Sequence, residues 1–157
     1  MRAFCLLLSL SLLLACAESA RDQLASARQA LAESKYDIAV ETADAGLAAG
    51  GDEVTTWGLE LVRLEALARA GAGEAALAQL EKLAAERPDQ VGATQYAATA
   101  DQLRTAEQGA AAIQVLDAGL KRFPKDTDLL ALIEDAKAAP AAGSEELDML
   151  RSLGYVE

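Results

Sequence analysis

The chain has 157 residues, a net charge of -11, no histidine and two cysteines. So acidic a surface argues against binding nucleic acid or lying flat on anionic lipid. Without histidine, and with no recognisable nucleophile motif among its serines and lysines, the chain is expected not to be an enzyme.

In chain order, the first element is a leucine-rich run from Leu6 to Leu14, led by Met1 and Arg2 and closed by Ala15 and Cys16. Leu6 to Ala17 is far short of the ~20 apolar residues a bilayer core requires, so the run predicts an export signal rather than a membrane-spanning helix. Beyond it the composition changes. Across the whole chain there are 37 alanines, with many leucines, glutamates and glutamines and few aromatics, the set with the best helix propensity. No later stretch alternates convincingly enough to read as a strand.

Three segments then superimpose: Tyr36-Asp37-Ile38-Ala39-Val40, Gly73-Glu74-Ala75-Ala76-Leu77 and Gly109-Ala110-Ala111-Ala112-Ile113. Each predicts the start of a helix of the same kind. Pro88 and Pro124 follow the second and third by the same interval, and Gly50-Gly51 takes the proline's place in the first. Glycine at a left-handed helix end and proline just past one are two ways of stopping the same helix. Counting forward from Trp57 and backward from Pro88 disagrees by three residues, which predicts a helix about one turn longer than its counterparts there. Trp57 and Tyr96 sit on apolar helix faces and are expected in the core. Thr127 to Ala139 predicts a capping helix ended by Pro140. After an alanine-rich linker, Ser144-Glu145-Glu146-Leu147 reads as an N-cap with an acidic first turn, opening a short amphipathic helix that stops at Gly154.

The leader resembles those of bacterial lipoproteins, in which a peptidase cuts before a cysteine that carries lipid. The resemblance implies a signal peptide at residues 1–15, lipidation at Cys16 and, because Ala17 rather than aspartate follows, an outer-membrane anchor facing the periplasm. The loss of Arg2 with the leader takes the charge from -11 to -12. Cys5 leaves with the leader and Cys16 is blocked by lipid, so no intramolecular disulfide is expected. A rival cut follows Ala17, because Ala15-Cys16-Ala17 satisfies the small-x-small rule of ordinary secretion; it would release a soluble periplasmic protein.

The repeating segments resemble the tetratricopeptide repeat, a helix-turn-helix unit with small residues where its helices cross and a proline closing each unit. The third unit fits best, with Tyr96, Ala100, Leu103, Ala112, Leu116 and Pro124 in pattern. The resemblance spans about residues 20–138. It implies an all-α fold: a short right-handed α-solenoid of about three hairpins with its capping helix over residues 16–139, followed by the linker and C-terminal amphipathic helix at 140–157. One hairpin cannot bury its own apolar face, so stacking supplies the core.

The family's groove-facing positions map onto Leu24, Arg28 and Leu31; Leu61, Glu65, Ala68 and Arg69; and Ala97, Asp101 and Arg104. Two readings stand for the arginines: a basic track for an acidic segment of a partner, or members of an ordinary charged helix face. Leu147, Leu150, Leu153 and Tyr155 form a docking face on the last helix, which either folds back on the solenoid or docks on another protein or a second copy of the chain. Leu150-Arg151-Ser152-Leu153-Gly154-Tyr155 also resembles an ending found in some exported sulfatases, whose defining active-site motif is absent here. No metal site or cofactor is expected, since carboxylates on solvated helix faces show no calcium-loop spacing. The expected function is a protein–protein interaction scaffold anchored at the outer membrane, accessory to envelope assembly, secretion or polysaccharide export. The alternative is a soluble periplasmic adaptor or oligomerisation module.

Overall fold

The computed structural model describes residues 19–138, 140 and 144–157. Among these residues the fold is all-helical: α1 (residues 19–32), α2 (Tyr36–Ala49), α3 (Glu53–Arg69), α4 (Gly73–Glu86), α5 (Ala93–Thr105), α6 (Gly109–Arg122), α7 (Thr127–Ala138) and α8 (Glu145–Ser152). The leader and Cys16 lie outside the described residues. At 17 residues α3 exceeds the 13 of α5 by about one turn, as the spacing between Trp57 and Pro88 requires.

The sequence repeat is matched by a repeat of backbone geometry. Residues 33–35, 70–72 and 106–108 each form a three-residue turn, joining α1 to α2, α3 to α4 and α5 to α6. In each, one residue takes a left-handed conformation: Ser34 (φ 58), Gly71 (φ 74) and Glu107 (φ 60). The N–H groups of Ser34, Gly71 and Glu107 donate to Leu31, Ala68 and Arg104, and those of Lys35, Ala72 and Gln108 donate to Ala30, Leu67 and Leu103. Paired bonds of this kind define the Schellman motif, which satisfies carbonyls that a helix end would leave bare. Five residues past each left-handed position comes the repeated alanine, with Ala39 and Ala76 0% and Ala112 5% exposed. Each is the fourth residue of its helix, and its N–H donates to the residue preceding that helix at 2.9 Å.

Only glycine takes the left-handed region without a Cβ penalty, so Ser34 and Glu107 are held there by the turns they close. Glu107→Gly is expected to raise stability by up to about 1 kcal/mol, less the added freedom of the unfolded chain. A urea titration reads this as a higher midpoint at unchanged slope; a lower midpoint would show that the Glu107 side chain contributes more than its backbone strain costs.

The remaining helix ends follow local chemistry. Gly50, left-handed at φ 73, closes α2. Pro88 and Pro124 stand just beyond the C-caps Arg87 and Phe123 of α4 and α6. Asp52 and Asp126 cap α3 and α7, their Oδ1 atoms accepting from the N–H of Thr55 (2.8 Å) and Leu129 (3.0 Å). Asp52 also accepts from Arg21 at 2.6 Å, and that bond, with those from Thr55, lowers its carboxyl to about 2.

The described residues form two compact units that divide within α3, between Ala66 and Leu67. In the first, Ala27, Ala30, Leu31, Ala39, Ala43, Leu59, Val62 and Ala66 make the core, with Leu24, Tyr36, Val40 and Leu47 packed against it. In the second, α5 packs most extensively on α6. All its helix pairings join a helix to the next or the next but one: α4 to α5 and α6, α5 to α6 and α7, α6 to α7 and α8, and α7 to α8. Tyr96 is buried as expected, its ring edge-on to Phe123 with centroids 6.0 Å apart. Trp57 is half-buried.

Candidate functional site

The second unit carries a cavity of about 350 Å³ where the chain departs from its own repeat. Its walls come from the last turns of α5, the first turns of α6, the second half of α7 and the start of α8. Three earlier helix-to-helix connections, residues 33–35, 70–72 and 106–108, are three-residue Schellman turns. Between α7 and α8 the connection is twice that length, residues 139–144, and the two helices touch sparingly. Small side chains widen the gap, since Ala100, Ala112 and Ala136 all line it.

The floor is apolar, formed by Ile113, Leu116 and Leu132, and the rim is charged, with Asp101 and Arg104 from α5, Asp135 from α7 and Glu146 from α8. Asp101 accepts from Arg104 Nη2 at 2.7 Å, and the two side chains are 56% and 70% exposed. An exposed pair one helical turn apart adds little stability, but it does neutralise the only guanidinium on this rim. Glu146 lies over the first residue of α6, where a Cβ on Gly109 would collide with its carboxylate. Carboxylates are favoured at a helix N-terminus, so α6 has a reason to hold Glu146 there.

The C-terminal helix folds back onto α6 and α7. Ser144 Oγ accepts from the N–H of Leu147 at 3.2 Å, which is the expected N-cap. Leu150 is 0% exposed, while Leu147, Leu153 and Tyr155 are half-buried. The Leu-Arg-x-Leu-Gly-Tyr ending has a local structural explanation: it is a fourth Schellman motif. Gly154 is left-handed at φ 80, its N–H donates to Arg151 and that of Tyr155 donates to Leu150. The motif turns Tyr155 towards α6, where its hydroxyl donates to Asp117 Oδ1 at 3.0 Å. Asp117 Oδ2 pairs with Lys121 at 2.7 Å.

Burial first, then the bond to Asp117, pushes the Tyr155 phenol up to about 12. A phenol protonated more tightly in the folded state stabilises docking fully below pH ~10, its unfolded value, and loses that contribution as pH rises to about 12. Tyr155→Phe is therefore expected to flatten the decline in stability between about pH 10 and 12, and to cost about 1 kcal/mol at neutral pH. Thermal melts of both chains across that range, with tyrosinate absorbance followed in parallel, check the result; identical profiles would detach Tyr155 from the docking of α8.

The residues anticipated for a partner groove separate by environment. Leu31 is buried in the core of the first unit, and Ala68 is 0% exposed. Leu24 and Arg28 lie across α3 at Gly58, where a Cβ would stand 2.9 Å from Leu24 Cδ2 and 3.4 Å from Arg28 Nη2. Leu61, Glu65 and Ala97 are half-buried and Arg69 is exposed. Asp101 and Arg104 are brought together at the cavity, as an ion pair. Arg28 belongs to the first unit, Arg69 and Arg104 to the second.

Sequence reasoning missed Asp135, Glu146 and Asp117. Asp135 and Glu146 reach the cavity through the packing of α7 and α8, for which no local pattern exists. Asp117 did leave a signal, as a lone carboxylate four residues after Ile113 on the apolar face of α6, and a buried carboxylate needs a partner. Among the described residues no group of three or more histidine, cysteine or acidic side chains is placed to hold a metal ion. Among them, too, no helix is long and apolar enough to cross a membrane. Compared with known proteins, the chain matches no family model, no curated protein and no solved structure.

Proposed function

We propose that the chain is a small tetratricopeptide-like scaffold, a right-handed stack of helix hairpins displayed from the periplasmic face of the outer membrane by lipid on Cys16, and that it works by binding another protein. The observation that carries the repeat reading is the recurrence of one turn, left-handed at Ser34, Gly71 and Glu107, each followed five residues later by a buried alanine. Its supporting companion is the pairing of each helix in the second unit with only its next two neighbours along the chain, the pattern a solenoid builds. Such a stack offers extended surface to a protein partner. The Leu-Leu-Ala-Cys leader supports the anchor.

Metabolic labelling with palmitate tests the anchor. Label on the wild type, lost in Cys16→Ala together with sedimentation in the outer-membrane fraction, is the expected result. The Ala15-Cys16-Ala17 sequence favours a second reading, a soluble periplasmic adaptor cut after Ala17. An unlabelled product, freely released and starting at Glu18, would replace the first reading with that one.

A further inference from the structure

We propose that the cavity between α5, α6, α7 and α8 receives a basic, aliphatic segment of a protein partner: a leucine-like side chain seated on Ile113, Leu116 and Leu132, with a neighbouring lysine or arginine held by Asp135 and Glu146. The inference rests on the scaffold reading above and names the chemistry of what such a scaffold binds in its second unit. Three features of the site lead to it.

The volume comes first. About 350 Å³ lies near the lower end of the ~300–1,000 Å³ that small ligand pockets occupy, which is room for one or two side chains and not for a whole helix. Polarity comes second. An aliphatic floor under a charged rim suits an anchor side chain that is buried beside a group that stays wet. Charge decides the sign. The rim sets three carboxylates against one guanidinium, and that guanidinium already bonds Asp101. An incoming acidic side chain would therefore meet repulsion from Asp135 and Glu146, whereas a cation completes the rim. The preferred charge is opposite to the one Arg104 alone would suggest. A peptide segment is favoured over a free small cation because the rim is largely open, and only a chain that also seats an apolar side chain on the floor buries appreciable surface there.

The test uses the full-length purified chain and two fluorescein-labelled hexapeptides, one alternating leucine with lysine and the other leucine with glutamate. Anisotropy titrations are run against the wild type, Asp135→Lys, Ala136→Trp and, as a charge-matched control on α2, Glu41→Lys. Ala136 is half-buried, so tryptophan there fills the cavity without entering the core; circular dichroism melts confirm that each variant folds. The lysine peptide is expected to bind at least about tenfold more tightly than the glutamate peptide. Asp135→Lys and Ala136→Trp are each expected to weaken it by at least about tenfold, and Glu41→Lys by less than about twofold. Methyl resonances of Ile113, Leu116 and Leu132 should shift on titration. Absence of binding, equal losses from Asp135→Lys and Glu41→Lys, or indifference to Ala136→Trp would overturn the proposal, the second because it marks general attraction to an acidic chain. Should Ala136→Trp fail to fold, the contrast between Asp135→Lys and Glu41→Lys with the methyl shifts decides alone. Palmitate labelling answers the scaffold reading separately: a labelled, membrane-bound chain that ignores the lysine peptide sinks only this inference.

Discussion

Replacing Leu103 with alanine is expected to lower the unfolding free energy by about 3 kcal/mol, within the ~2–5 kcal/mol range for buried leucine truncations. Leu103 is 0% exposed, and its Cδ2 lies 3.7 Å from where a Cβ on Gly73 would stand, so it fills the space between the end of α5 and the start of α4. Its carbonyl also accepts from Gln108, which ties the same residue to the Schellman turn into α6. The loss is large relative to the total, since domains of this size are stable by only ~5–15 kcal/mol. Many of the buried positions are alanines, which bring helices close but remove little area from water. The buried leucines thus carry a disproportionate share. Urea unfolding followed by far-UV circular dichroism measures the change; a loss below about 1 kcal/mol would mean that α4 and α5 collapse onto the cavity and that the space was never tightly specified.

The helices and the turns that join them were legible in the sequence because their determinants are local. A left-handed turn position, the alanine five residues on and the stop by proline or paired glycine each lie within one unit, so the interval between Ala39, Ala76 and Ala112 carries directly into backbone geometry. The extra turn of α3 was legible for the same reason: it lengthens one interval. Leu150 and Tyr155 were recognised as a docking face, but the surface they dock on was not, because Asp117 lies 38 residues from Tyr155 and no spacing rule links them. The cavity was illegible altogether. It arises from what is missing, a three-residue turn between α7 and α8 and side chains at Ala100, Ala112 and Ala136, and an unfilled volume leaves no residue type to read. Arg104 had two readings open in the sequence, a basic track or an ordinary charged helix face, and its bond to Asp101 one turn earlier on the same helix has the form of the second.

Gly119 is expected to reverse the usual rule for glycine inside a helix. At an ordinary exposed position glycine to alanine gains about 1 kcal/mol through helix propensity. A Cβ on Gly119, however, would stand 2.9 Å from Tyr96 Cβ and 3.0 Å from Leu129 Cδ1. The leucine methyl can swing aside, but Tyr96 Cβ moves only with the backbone of α5, and its ring is pinned edge-on against Phe123. Gly119→Ala should therefore destabilise, and Gly119→Leu should cost about 3 kcal/mol or more by forcing α5 and α7 away from α6. Gly46 stands at the same place in α2, meeting Gln23 Cβ at 2.9 Å and Leu59 Cδ2 at 2.8 Å, so its alanine variant should share the sign. Gly92 supplies the contrast, because a Cβ there meets only Gln95 Oε1 at 3.7 Å and its φ of -102 suits any residue; Gly92→Ala should stay within about 0.5 kcal/mol of the wild type. Thermal and urea midpoints of the four variants rank these costs. If Gly119→Ala proved more stable than the wild type, the close crossing of α5, α6 and α7 would be loose packing, and glycine at these crossings would have no structural role.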